Sequence, residues 1–288
     1  MSNEAKRTLY ISDLDGTLLG TDSLISPRSA AMLREAIGKG ALFTVATART
    51  PATVSQLLKD VPVRVPAIVM TGSALWNIST GEYTHPRFME EDTALEIAGI
   101  YRHAGLPSFA YTLGDGMIEI FHTGEVSELE REFIASRADT PFKRFHLDEK
   151  RLPSELAGRV LLYYAMQPNQ VAQKAYALVK ELPGINPIFY HDIFGPQTAI
   201  LEVFDAKSSK AEAARMLASE TGAERIVAFG DNLNDLPLMR AADVAVAVGN
   251  AVEEVKSEAD IVIEPNSADS VASFILDDMA CGEETRRL

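Results

Sequence analysis

The stretch Leu9-Tyr10-Ile11-Ser12-Asp13-Leu14-Asp15-Gly16-Thr17-Leu18 constrains this chain more than any other. A short apolar run stops at two aspartates one residue apart, and Gly-Thr follows. Leu9-Tyr10-Ile11 has the character of a strand buried on both faces, as in a parallel sheet. Gly16 permits the sharp exit turn that such a strand needs. In open α/β sheets ligands bind just beyond the carboxyl ends of the strands, which places Asp13 and Asp15 where chemistry is done. Carboxylates this close repel each other unless a cation or a shared proton intervenes. A bound Mg²⁺, a hard ion that prefers oxygen ligands, is the simplest resolution.

The same rhythm continues on both sides of a long interruption. Ser26-Pro27 reads as an N-cap and first helical residue; Ala30, Leu33 and Ile37 recur at helical spacing, and Gly38 and Gly40 end the helix. Leu42–Ala46 is a second buried strand, followed by Thr47 and a helix to about Asp60; Pro66–Met70 is a third strand. From about Ser208 the pattern resumes. A helix runs to Gly222, and strands follow at Arg225–Phe229, Asp243–Val248 and Asp260–Ile263. Roughly six strands would share one doubly wound parallel sheet.

Between residues 84 and 205 the character changes to helices alternating with aromatic-rich strands and hairpins. Ala94, Ile97, Ala98 and Tyr101 share a helical face. Gly114-Asp115-Gly116 sits between Phe109–Tyr111 and Met117–Phe121 as a hairpin turn. Val126, Leu129 and Phe133 suggest a second helix, and Val171, Ala175, Leu178, Val179 and Leu182 another. Val160–Tyr164, Ile188–Tyr190 and Ala199–Val203 read as strands. The expected organisation is a discontinuous α/β core, residues 1–83 and 206–288, carrying an inserted α+β cap over 84–205.

Composition narrows the function. With 288 residues there is room for two domains, and a net charge of −14 repels nucleic-acid phosphates. A phosphate site must then be locally positive, built from a metal, a lysine and backbone N–H groups. No apolar run approaches a membrane span, and the first residues lack the apolar segment of a signal peptide. One cysteine, Cys281, excludes an internal disulfide and a cysteine zinc cluster. The expectation is a cytoplasmic protein, monomeric or weakly homo-oligomeric, without nucleic-acid or membrane partners.

Four strand or helix ends carry polar groups suited to one reaction: Asp13-x-Asp15, Thr47, Lys210 and Gly230-Asp231-Asn232-Leu233-Asn234-Asp235. The set resembles the haloacid dehalogenase superfamily of phosphatases, in its Cof-like subfamily with an inserted cap. Asp13–Leu18 matches the first family motif, Thr47 the second, Lys210 the third and Gly230-Asp231-x-x-Asn234-Asp235 the fourth. Gly249-Asn250-Ala251 and Ala259-Asp260 also resemble the subfamily. The chain departs from the pattern at Ala48, Thr71 and Ser270, where Gly, Asn and Gly are common. The resemblance implies a Rossmann-like core and hydrolysis of small phosphorylated metabolites, sugar phosphates foremost. It implies Asp13 as nucleophile forming an aspartyl-phosphate, and Asp15 as general acid and base. Mg²⁺ would be held by Asp13, the Asp15 carbonyl and Asp231, and the phosphoryl group by Thr47, Lys210 and Asn234. Asp235 would orient Lys210 or a metal-bound water. Arg49 could meet substrate or form a surface ion pair; Tyr190 and His191 are candidate substrate contacts in the cap. Other readings are a phosphomannomutase-like phosphotransferase and a catalytically silent sugar-phosphate-binding regulator. The histidines show no metal spacing, and Trp76 reads as core. No Walker loop, G-x-G-x-x-G, H-E-x-x-H or G-x-S-x-G motif is present.

Overall fold

A computed structural model describes residues 6–137, 140–147, 152–191 and 197–284. The chain divides into two compact units, Met1–Thr84 with Ser209–Leu288, and His85–Ser208.

In the first unit the opening strand β1 (Thr8–Ser12) is followed by α1 (Pro27–Gly38), β2 (Leu42–Val45), α2 (Pro51–Leu57) and β3 (Ala67–Val69). Helix α1 starts as its sequence directs. The Ser29 amide donates to Ser26 Oγ at 2.9 Å, Pro27 follows the cap, and Ala30, Leu33 and Ile37 turn inward. Strand β3 differs from the expected sixth member of the parallel sheet. It spans three residues and touches the sheet through one parallel bridge, Ala46 to Ile68. The chain then reverses through three left-handed residues, Met70, Thr71 and Gly72. It returns as β4 (Ala74–Asn77) and β5 (Glu82–Thr84), an antiparallel pair built onto β3 that the sequence reading did not contain. Trp76, fully buried on β4, donates its indole N–H to Ser55 Oγ at 2.9 Å.

The second unit comprises α3 (Glu91–Ala104), β6 (Ser108–Leu113), β7 (Ile118–Thr123), α4 (Glu128–Ala135), β8 (Lys143–His146), β9 (Val160–Pro168), α5 (Asn169–Val179), β10 (Ile185–His191) and β11 (Thr198–Asp205). Its sheet runs β10-β11-β9-β6-β7-β8, antiparallel except for β7 beside β8. Side chains alternate across it. Ala110, Tyr163, Ala165, Leu201 and Val203 share a buried cluster with residues of α3 and α5. The alternate residues Phe109 and Tyr164 meet Phe133 of α4, at ring separations of 5.5 and 5.3 Å. A capping box, Ser127 with Glu130, starts α4. Glu130 is fully buried, paired with His122 at 3.2 Å and accepting from Gln167 at 2.7 Å. His122 is thus a packing residue bound to a carboxylate. Strand β8, Lys-Arg-Phe-His, holds a single apolar residue and so carries no strand signal in the sequence.

The first unit resumes with α6 (Lys210–Thr221), β12 (Arg225–Gly230), α7 (Leu236–Ala241), β13 (Val244–Ala247), α8 (Glu253–Glu258), β14 (Ile261–Val262) and α9 (Ser270–Glu284). Its five-stranded sheet is ordered β14-β13-β12-β1-β2, with every pairing parallel. Strand β1 lies inside it, between β12 and β2, so Leu9, Tyr10 and Ile11 are buried on both faces. The carboxyl ends of β1 and β12 lie side by side, Ser12 opposite Phe229. Among the described residues no helix is long and apolar enough to cross a membrane.

Candidate active site

Asp13 leaves β1 with its amide donating to the Phe229 carbonyl at 3.0 Å, which fixes it against β12. The following residues, Leu14–Leu18, form a wide turn in which Gly16 takes φ +80°. A Cβ at Gly16 would run into the Asp231 carboxylate, so glycine is needed for both conformation and space. Thr17 donates its hydroxyl to Asp231 Oδ1 at 3.0 Å and joins the first loop to the loop after β12.

The centre of the arrangement is Lys210. Its ammonium donates to Asp13 Oδ1 at 2.6 Å and to Asp235 Oδ1 at 2.7 Å. Lys210, Asp13 and Asp235 are all buried. Asp235 uses its other oxygen to accept from the Asp231 and Asn232 amides at 3.2 and 3.3 Å. Lys210 is the first residue of α6, whose N-cap Ser209 accepts from the amides of Ala211 and Glu212. Gly72 packs directly on the Ser209 backbone, at a position where a Cβ would collide with it. The left-handed turn after β3 thus buttresses the start of the helix that carries Lys210.

Charge does not balance in this cluster. Asp13, Asp231 and Asp235 each offer a carboxylate oxygen, all within 4.8 Å of one another, against one ammonium. Burial pushes Asp13 above the usual carboxylate range; Lys210 opposes this, while Asp235 and Asp231 add to it. Asp231 is pushed up to about 6 by burial and by Asp235, with the Thr17 hydrogen bond pulling the other way. Burial works against the charge of Lys210, yet Asp13 and Asp235 more than offset it and raise its pKa. Oxygen-only donors with surplus negative charge suit a hard divalent cation. Both Asp235 oxygens are already engaged, which leaves Asp13 and Asp231 as the side chains free to hold one.

Thr47 lies just beyond β2, buried, with its amide on the Ile68 carbonyl and its hydroxyl accepting from the Arg49 amide at 3.1 Å. Asp15 is half-exposed and receives Arg49 through both oxygens, at 2.7 and 2.6 Å. Of the two roles open to Arg49, this structure shows an ion pair, and its partner is a residue of the first motif. Asn234 is exposed in the turn Leu233–Asp235. Tyr190 and His191 end β10 in the other unit, both exposed; Tyr190 hydrogen-bonds Glu202.

Three residues outside the expected catalytic set shape the first loop. Besides Thr17, Asn250 Nδ2 donates to the Gly16 carbonyl at 2.8 Å, and Asn250 Oδ1 accepts from the Asn266 amide at 2.9 Å. Asn266 Nδ2 donates to the Leu19 carbonyl at 2.7 Å. A side-chain amide satisfies a backbone donor and acceptor together, which suits asparagine to tying loops. The signal available was Gly249-Asn250-Ala251 directly after a strand.

Fold and site define a doubly wound α/β enzyme core with a carboxylate and lysine centre at its strand ends and a separate α+β unit inserted in the chain. The chain belongs to the haloacid dehalogenase-like hydrolase family, whose model matches residues 10–275. It is similar to a 5-amino-6-(5-phospho-D-ribitylamino)uracil phosphatase of Bacillus subtilis (strain 168), 27% identical over 91% of this chain and 95% of that protein. It is likewise similar to the pyridoxal phosphate phosphatase of Escherichia coli (strain K12), 26% identical with the same coverage, 91% and 95%. In fold it resembles the crystal structure of a haloacid dehalogenase-like hydrolase from Bacteroides thetaiotaomicron, with a TM-score of 0.74 at 23% identity, covering 94% of this chain and 99% of that one.

Proposed function

We propose that this hydrolase is a Mg²⁺-dependent phosphatase of small phosphorylated metabolites, sugar phosphates among them, and that it works through an aspartyl-phosphate on Asp13. The observation that carries the reading is the Lys210 ammonium bridging buried Asp13 and Asp235 beside Asp231. Relatives named as phosphatases of a phosphoribityl compound and of pyridoxal phosphate support the substrate class.

Asp13, Asp231 and the backbone carbonyl of Asp15 would hold the Mg²⁺. When bound, the ion neutralises charge shared between the attacking carboxylate and the phosphoryl oxygens. The free Oδ2 of Asp13 attacks phosphorus, and the bond from phosphorus to the ester oxygen breaks. Asp15 gives a proton to that departing oxygen once Arg49 releases one of its oxygens. Lys210 holds Asp13 in place and, with Thr47 and Asn234, meets the non-bridging oxygens as their charge develops. In the second half Asp15 takes a proton from water, the water oxygen attacks phosphorus, and the acyl-phosphate bond breaks to free Asp13.

A phosphate-release screen over a panel of sugar phosphates and other small esters tests this. Wild-type protein should release phosphate from several esters with Mg²⁺ present, and lose activity with chelator or with Asp13→Asn. Full activity in the Asp13→Asn protein would refute the reading.

A further inference from the structure

Gly249-Asn250-Ala251 takes no part in the proposed chemistry, yet the turn that contains it touches both loops that would hold the metal. That turn, residues 248–252, runs between β13 and α8. Asn250 Nδ2 donates to the Gly16 carbonyl at 2.8 Å, one residue beyond the Asp15 carbonyl. Two residues further on, the Val252 amide donates to the backbone carbonyl of Asp231 at 3.0 Å. Thr17 completes the figure, its hydroxyl donating to Asp231 Oδ1 at 3.0 Å. The first loop, the Asp231 loop and the turn after β13 are thus joined pairwise, each to the other two, in a closed ring of hydrogen bonds.

The turn is itself held from behind. The Gly249 amide donates to the Glu264 carbonyl at 3.3 Å, and Asn250 Oδ1 accepts from the Asn266 amide at 2.9 Å. A Cβ at Gly249 would lie 3.0 Å from the Pro265 nitrogen and 3.1 Å from the Ile263 carbonyl oxygen, so glycine lets the turn seat closely on residues 263–266. Position 250 then needs a side chain that accepts from that support and donates to the first loop at once, which an amide does. Asn250 is exposed, and water competes for both partners of an exposed neutral hydrogen bond, so its bonds add little to stability. Their effect is on orientation. A peptide unit is planar, so holding the Gly16 oxygen fixes the plane of the Gly16–Thr17 peptide. It does so at the glycine, the residue of the loop with most freedom to turn.

We propose that Asn250 is a positioning residue for the divalent cation. By fixing the Gly16 carbonyl from a turn that also holds the Asp231 backbone, it sets how far the Asp15 carbonyl stands from the Asp231 carboxylate. The proposal deepens the phosphatase reading and rests on its Mg²⁺ site. Mg²⁺ demands near-ideal octahedral geometry, so a small displacement of either donor costs affinity.

Mn²⁺ takes the same oxygen donors, and the EPR signal of the free ion reports how much is bound. In titrations of the resting full-length protein without substrate, Asn250→Ala raises the Mn²⁺ Kd about 10- to 100-fold, the loss typical when a partner that orients metal ligands is removed. In phosphate release, the Mg²⁺ concentration giving half activity rises by the same factor. At saturating Mg²⁺, kcat recovers and KM for the ester stays within about twofold of wild type. Asn266→Ala is the control. It removes the side-chain bond to the Leu19 carbonyl, keeps the backbone amide that supports Asn250, and leaves the Mn²⁺ Kd within about twofold. Melting curves close to wild type show that both variants are folded. If wild type binds Mn²⁺ and hydrolyses no ester, the phosphatase reading fails and the Mn²⁺ titrations still decide the role of Asn250. A wild-type protein that binds no Mn²⁺, an Asn250→Ala protein that binds it as wild type does, or an equal loss in Asn266→Ala overturns the proposal.

Discussion

Asp15 meets Arg49 through both carboxylate oxygens, at 2.7 and 2.6 Å, so it can carry a proton only after the guanidinium lets one oxygen go. Its proposed role makes a sharp prediction. Asp15→Asn cannot take the proton from water, so kcat falls about 10²- to 10⁴-fold. With ³²P-labelled 4-nitrophenyl phosphate, whose leaving group departs without a proton, the variant should accumulate label on protein, read after acid quench; a slow enzyme with no trapped label would remove Asp15 from the second half of the reaction. Thr17 supports a different prediction. Its hydroxyl holds Asp231 Oδ1 at 3.0 Å, so Thr17→Val frees a carboxylate proposed to bind metal. The Mg²⁺ concentration giving half activity should rise about 10- to 100-fold, with kcat recovered at saturation. An unchanged Mg²⁺ titration would mean that the bond does not position Asp231. Residues of this kind differ in legibility. Asp13-x-Asp15-Gly16-Thr17 is local, and its strand-then-glycine context is visible in the chain itself. The Arg49 pair, the Lys210 bridge and the Asn250 tie join residues 34, 197 and 234 positions apart, and no local pattern encodes such meetings.

Elements of the core were readable because burial on both faces leaves near-continuous apolar runs, as in Leu9-Tyr10-Ile11 and Ile226–Phe229. Short edge strands leave no such trace. β8 is Lys-Arg-Phe-His, and β3 has three residues with a single bridge to its parallel neighbour. Element geometry also sets what the first loop tolerates. Gly16→Ala meets both a positive φ and the Asp231 carboxylate, and should lower stability by more than the ~1 kcal/mol typical of strain at such a position. Denaturant melts check this; unaltered stability would show that the loop can relax. On β11, Glu202 offers a pH test. Burial raises its carboxyl from 4.5 to about 7, against the Tyr190 hydrogen bond. Below 4.5 the group is protonated in both folded and unfolded chains and costs nothing. As pH climbs from 4.5 towards 7 the unfolded chain releases the proton while the folded chain keeps it, so stability declines through that window. Glu202→Gln removes the decline. Its melting temperature relative to wild type should therefore increase steadily with pH across the same range, and a difference independent of pH would contradict the burial of the carboxyl.

At the scale of the whole molecule, the change of pattern near residue 84 and its return near 208 mark a chain that leaves one sheet and later re-enters it. The chain divides into two compact units at Thr84/His85 and Ser208/Ser209. Parallel strands need helical crossovers, so β1, β2, β12, β13 and β14 spread their pairing over the full chain. The inserted sheet instead pairs mostly antiparallel strands from one continuous stretch. It also has its own buried cluster, in which Tyr101, Tyr163 and Leu201 are nearly inaccessible. A unit that closes its own backbone pairing and buries its own apolar face needs no partner to fold. Residues 85–208 expressed alone should therefore melt cooperatively, with dispersed amide resonances and protected amides in β6, β9 and β11. Tyr163→Phe offers a check on that core. Its hydroxyl donates to the Ala94 carbonyl at 2.9 Å while fully buried, so the change should destabilise the isolated unit by about 1–2 kcal/mol. The same loss should appear in the intact chain, because the bond lies wholly within the unit. A fragment that melts without a transition, or a Tyr163→Phe effect seen only in the intact chain, would mean that the inserted unit depends on the rest of the protein for its packing.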